Sequence, residues 1–108
     1  MNDRYQACID ECLACAKACE ACATACLQEE NVQMMARCIE LDRDCADLCR
    51  LAATLMQRDS RVATDLCIVC ASICRACAEE CEGHQADHCR VCAQACRSCA
   101  QVCEQMAA

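Results

Sequence analysis

The sequence predicts an all-α protein, an antiparallel up-down-up-down four-helix bundle with a cysteine-lined core. Three observations carry this prediction. The 108 residues include no proline and one glycine, the two residues that long helices exclude. The intervening positions are filled largely by Ala, Glu, Gln, Arg and Leu, all good helix formers. Sixteen of the 19 cysteines fall in three runs at alternating spacings of four and three, the pattern of a helix seam that faces other helices.

Each element follows from that seam. The first helix is expected from about Asp3 to Gln28, with Cys8, Cys12, Cys15, Cys19, Cys22 and Cys26 on one face. The second begins near Asn31, a suitable N-cap, and runs to about Gln57. Its inner positions read as Cys38, Leu41, Cys45, Leu48, Cys49, Ala52 and Leu55. The third follows Asp59 and Ser60, carries Cys67, Cys70, Cys74, Cys77 and Cys81, and stops near Gly83, which suits a C′ position. Leu66, Val69 and Ile73 precede its cysteines by one position, flanking the seam to pack on the second helix or between subunits. The fourth starts at Ala86 or Asp87, carries Cys89, Cys92, Cys96, Cys99 and Cys103, and runs to about Met106. Short connections make neighbouring helices antiparallel. The first, third and fourth helices resemble one another, and the whole of 1–108 reads as one domain.

Composition sets the energetic problem. Beyond Cys and Ala, the larger apolar residues are seven Leu, five Val, five Met, four Ile and one Tyr, with no Phe or Trp. So thin a hydrophobic core leaves a small domain marginal; bound metal is one source of the missing stabilisation. The metal-free chain is nevertheless expected to fold, because neutral thiols pack as small hydrophobes. A net charge of −7 argues against a nucleic-acid partner. No apolar run reaches membrane-spanning length, and the N-terminus has no signal-peptide core, so a cytoplasmic location with reduced thiols is expected. No nucleophile–base pair, phosphate loop or carboxylate dyad is visible, which points away from an enzyme.

The chemistry lies in the CxxxC unit. It occurs eight times: Cys8/Cys12, Cys15/Cys19, Cys22/Cys26, Cys45/Cys49, Cys70/Cys74, Cys77/Cys81, Cys92/Cys96 and Cys99/Cys103. Cys38, Cys67 and Cys89 remain outside it. Residues four apart on a helix have Cβ atoms roughly 5–6 Å from each other. With metal–thiolate bonds of about 2.3 Å, a linear S–M–S unit spans about 4.6 Å, so one pair can clamp a two-coordinate ion. Thiolates select Cu(I), Zn(II) and iron–sulfur clusters. Charge favours Cu(I): stacked Zn(II) sites of four thiolates would each carry a net charge of about −2 in a narrow core. Shared thiolates bring Cu(I) near neutrality at roughly one ion per ionised thiol. The alternatives are a zinc or mixed-metal buffer of the metallothionein type and an iron–sulfur or redox protein. Structural disulfides are disfavoured by the odd cysteine count and the helical spacing. The six CxxC spacings, such as Cys12/Cys15, are what lies between successive CxxxC pairs.

Other soft ligands gather at one end. The bundle topology brings Met34, Met35, His84 and His88 near Cys26, Cys38, Cys81 and Cys89. They form either a port that passes copper inward or ordinary end packing with solvated histidines. Tyr5, Met56 and Met106 are expected to close the opposite end by packing.

The chain resembles the cytosolic branch of the bacterial copper storage proteins. The likeness rests on CxxxC ladders over four helices, the absence of a signal peptide and the histidine-containing third turn, and it covers essentially the whole chain. It implies a four-helix bundle binding many Cu(I) ions, mostly through the eight CxxxC pairs, with Cys38, Cys67 and Cys89 as bridging or third ligands. It also implies a homotetramer. Small thiols or copper chaperones are the expected partners for loading and release.

Overall fold

Four helices form around the cysteine seams: α1 (Gln6–Cys26), α2 (Ala36–Gln57), α3 (Ala63–Glu82) and α4 (Asp87–Ala107). The structure, a computed structural model, describes residues 3–108. Short 3-10 turns at Asp3–Tyr5 and Val32–Met35 lead into α1 and α2. Packing is most extensive between α1 and α2 and between α3 and α4, with α2/α3 and α1/α4 closing the square. This is the antiparallel up-down-up-down bundle that the sequence predicts. The molecule is a rod, with Cα extents of 46 × 19 × 17 Å, so its interior is a single narrow column.

All 19 cysteines are buried, and all are free thiols. Beside them lie buried alanines seven residues apart: Ala16 and Ala23 on α1, Ala46 and Ala53 on α2, Ala71 and Ala78 on α3, Ala93 and Ala100 on α4. Side chains this small let the backbones approach closely, which narrows the column and brings sulfurs from facing helices together. Leu66 and Ile73 are half-buried against the core, whereas Val69 is exposed. Ion pairs tie the surface across helices, among them Arg97–Glu82, Arg50–Glu20 and Arg75–Glu104. Exposed pairs of this kind contribute little to stability.

The second helix departs from expectation in its register. Its seam runs Cys38, Asp42, Cys45, Cys49, Ala52 and Met56, all of them buried. Leu41 and Leu48 are only half-buried and flank this line. The alternation of four and three holds along α2 as it does elsewhere, and it passes through an aspartate rather than Leu41.

The helix ends also differ in detail. Asn31 makes no side-chain cap, and the chain enters α2 through the 3-10 turn, where Met34 N donates to Asn31 O at 3.1 Å. That turn leaves Met35 buried and Met34 67% exposed. Gly83 caps α3 with an α-helical φ of −78°, so no left-handed residue is needed there. Its lack of a Cβ instead avoids a 3.3 Å approach to Glu80 O. The left-handed residue is Asp59, with φ 52°, after α2. Ser60 N donates to Leu55 O at 2.9 Å and Asp59 N to Met56 O at 3.1 Å, the paired bonds of a Schellman stop.

The packing can be tested at its alanines. Ala46 is fully buried and Ala14 is exposed. Ala46→Leu should destabilise the metal-free protein by about 1–3 kcal/mol through overpacking. Ala14→Leu should stay within about 0.5 kcal/mol of the parent. Thermal melts followed by helical circular dichroism measure both, and equal effects would contradict the assigned seams.

Candidate metal site

Because each helix turns one seam inward, the thiols stack as a continuous column along the bundle axis. Near the start of α1, Cys8 and Cys103 sulfurs are 3.6 Å apart, and Cys103 is 3.7 Å from Cys12. One level on, Cys49 lies 3.5 Å from Cys70 and Cys99 lies 3.7 Å from Cys12. At mid-height Cys15 is 3.9 Å from both Cys45 and Cys74 and 3.8 Å from Cys96. Cys19 then meets Cys92 and Cys96, each at 3.7 Å. Toward the far end Cys38 is 3.7 Å from Cys81 and 4.0 Å from Cys26, and Cys22 is 4.0 Å from Cys89.

Sulfurs are as close across helices as along them. The CxxxC pairs Cys22/Cys26, Cys45/Cys49 and Cys99/Cys103 stand at 3.9 Å. With bonds of about 2.3 Å, such spacings match the roughly 4.0 Å between ligands of a three-coordinate ion better than the 4.6 Å of a linear one. Groups of four sulfurs, mutually within 4.8 Å, include Cys15/Cys49/Cys74/Cys99, with one cysteine from each helix. Others are Cys12/Cys70/Cys99/Cys103, Cys15/Cys19/Cys45/Cys96 and Cys19/Cys77/Cys92/Cys96. Cys15, Cys19, Cys96 and Cys99 each belong to two of these groups, so the groups overlap rather than standing apart.

Asp42 is the buried polar residue among the thiols that sequence reasoning missed. Its side chain is completely buried. Cys77 and Cys92 donate to its Oδ1 at 3.1 and 3.2 Å, with Cys81 at 3.8 Å, while Cys38 lies 3.9 Å from Oδ2. Burial first, and then the neighbouring Cys92, push its pKa up to about 8. The carboxyl therefore keeps its proton at neutral pH. The signal for it was present in the sequence. Cys38 lacks a CxxxC partner, and the position four residues on, where that partner would stand, is Asp42.

Protonation of the thiols follows the same physics. Burial is the first cause that pushes the Cys89 thiol up to about 11. Cys26 is raised, with burial again the first cause. A packed column of sulfur in low dielectric cannot carry many negative charges at once, so the metal-free interior is a stack of neutral S–H groups.

The soft residues predicted at one end do gather there. His88 Nε2 lies 3.5 Å from Cys26 Sγ and 3.9 Å from Glu29 Oε2. His84 Nε2 lies 2.8 Å from Glu80 Oε2. His84 sits in the turn after α3 and His88 in the first turn of α4, so the two do not share a helical face. Met34, Met35 and His84 line a cleft of about 350 Å³ together with Glu29, Glu30 and Asn31. At the other end Tyr5 and Met56 are buried and Met106 is half-buried.

A helical tube whose axis is an unbroken run of thiols, softened by histidine and methionine at one mouth, defines a thiolate container for metal ions. The comparisons with known proteins agree. The model of the copper storage protein family matches residues 1–108. The Cu(I)-bound copper storage protein Csp3 of Bacillus subtilis is 49% identical, with 96% of this chain and 98% of that one covered and a TM-score of 0.93. The cytosolic copper storage protein of Streptomyces lividans, loaded with five coppers, is 46% identical, with 93% and 88% covered and a TM-score of 0.90. No curated protein matches the chain significantly. The chain belongs to the copper storage protein family.

The buried carboxyl makes stability pH-dependent. An aspartate whose folded pKa lies near 8, against 3.8 unfolded, holds its proton only in the folded state between those values. Stability of the metal-free protein should therefore fall as pH rises from about 4 to 8, by up to about 1.4 kcal/mol per pH unit. Asp42→Asn should remove that slope. Denaturant midpoints at several pH values check it, and a slope that survives in Asp42→Asn would contradict the assignment.

Proposed function

We propose that this protein stores and sequesters many Cu(I) ions in its thiol column, in the cytoplasm, for copper homeostasis and detoxification. The single observation that carries this reading is the overlap of the four-sulfur groups. Ions bound in overlapping groups must share thiolates, and sharing suits a monovalent ion. Exchanging one proton for one Cu(I) leaves the charge of the core unchanged, whereas divalent ions packed at this density would charge the column and repel one another. No helix of the described residues is long and apolar enough to cross a membrane, and the S. lividans relative is cytosolic.

The proposed ligands are the 19 cysteines, with Asp42 as an oxygen donor between Cys38, Cys77, Cys81 and Cys92. The role is storage rather than catalysis: the 19 thiols and Asp42 are buried against one another inside a bundle of the copper storage protein family. Met34, Met35, His84 and His88 form the mouth. The exposed Met34 thioether meets copper first, and His88 hands it to Cys26. Small thiols or copper chaperones deliver and remove the metal there. Assembly into a homotetramer is proposed from the family resemblance.

Two experiments test this. Anaerobic titration of the reduced protein with Cu(I), followed by metal analysis, should reach about one ion per thiol without visible colour, since closed-shell Cu(I) thiolates do not absorb there. Saturation at about four or five Zn(II) with weak Cu(I) uptake would favour the zinc buffer; visible absorption would favour an iron–sulfur protein. Replacing Met34, Met35, His84 and His88 together should slow loading several-fold while leaving capacity nearly unchanged. Stopped-flow loading from a chelated donor measures this, and unchanged kinetics would remove the mouth from the account.

A further inference from the structure

Met56 stands where a cysteine would stand. It continues the α2 seam four residues beyond Ala52 and seven beyond Cys49, and its side chain is completely buried. Its Sδ lies 3.7 Å from Cys67 Sγ, which donates its S–H to the thioether. Cys67 is itself unusual, because the residues four before and four after it are Ala63 and Ala71, so it belongs to no CxxxC pair. The thiols it faces are Cys103 and Cys8, the first causes that raise its pKa. Those two sulfurs are 3.6 Å apart. At this level of the column α2 offers no thiol, and Met56 supplies its only sulfur.

We infer that the end of the bundle opposite the histidines holds a mixed thioether–thiolate Cu(I) site, in which Met56 Sδ joins the sulfurs of Cys67, Cys8 and Cys103. Packing alone would be served as well by leucine. A thioether adds a soft donor without adding charge, which matters at the end of a column already dense in thiolates. Thioether sulfur binds Cu(I) readily and Zn(II) poorly, so this site also biases the container toward monovalent copper. The inference rests on the Cu(I)-storage reading.

Selenium in place of methionine sulfur makes the bond visible. Protein carrying Met34→Leu, Met35→Leu and Met106→Leu is produced with selenomethionine, leaving selenium at Met56 and Met1. It is loaded anaerobically with Cu(I) to saturation and examined by selenium K-edge X-ray absorption. The expected result is a selenium–copper path at bonding distance, absent from the metal-free protein and lost when Met56→Leu is added. Full copper uptake with no such path, or a path that survives Met56→Leu, overturns the site and leaves the storage function standing. Failure of the protein to take up copper overturns both.

Discussion

Everything in this molecule depends on keeping sulfur in register. Four helices each turn one seam of alternating four- and three-residue spacing inward, lined by cysteines on three of them and completed on α2 by Asp42, Ala52 and Met56, and the buried alanines beside them hold the helices close enough for those seams to merge. The product is a column in which sulfurs from different helices approach to 3.5 Å. In low dielectric such a column tolerates little net charge, so its thiols are neutral when metal-free. A monovalent cation that replaces each proton leaves that balance intact. The same constraint that makes the empty column stable as packed S–H groups makes it receptive to Cu(I).

The register also explains a fold with few large hydrophobes. Cysteine serves as the core residue, a small apolar group that packs without metal and ligates with it. Leu41 and Leu48 of α2 sit to the side of the seam, half-buried, where they flank the sulfurs without displacing them. The two ends differ in chemistry. One is closed by the buried Tyr5 and Met56. The other ends in Met34, His84 and acidic side chains around a cleft, with His88 against Cys26 nearby. A rod with one sealed and one polar end has a direction, and metal that passes through the polar end meets the thiols in order.

The fold was legible in the sequence because a repeated physical requirement left a repeated mark. The absence of proline and the alternation of spacings located four helices and the inward face of three of them. The fourth face, on α2, was misread because Leu41 and Leu48 look like core residues and Asp42 does not. Hydrophobicity and periodicity gave conflicting answers there, and periodicity was right: the line Cys38, Asp42, Cys45, Cys49 continues the alternation that the other helices keep. Met56 reads as end packing, and its burial fits that reading. Its hydrophobicity sufficed to explain it, and only the short approach to Cys67 shows what else its sulfur touches. Cap details such as Asn31 and Gly83 turn on local backbone geometry that residue type alone does not fix.

The most direct test of the account counts protons. Metal-free protein titrated anaerobically with Cu(I) at constant pH should release, integrated to saturation, about one proton for each ion bound, because shared thiols exchange S–H for S–Cu one for one. Release of about two protons per ion up to saturation would mean that each ion keeps its own pair of thiols. Release near zero would mean that the sulfurs were already ionised. Either result would contradict a column of neutral thiols filled by sharing.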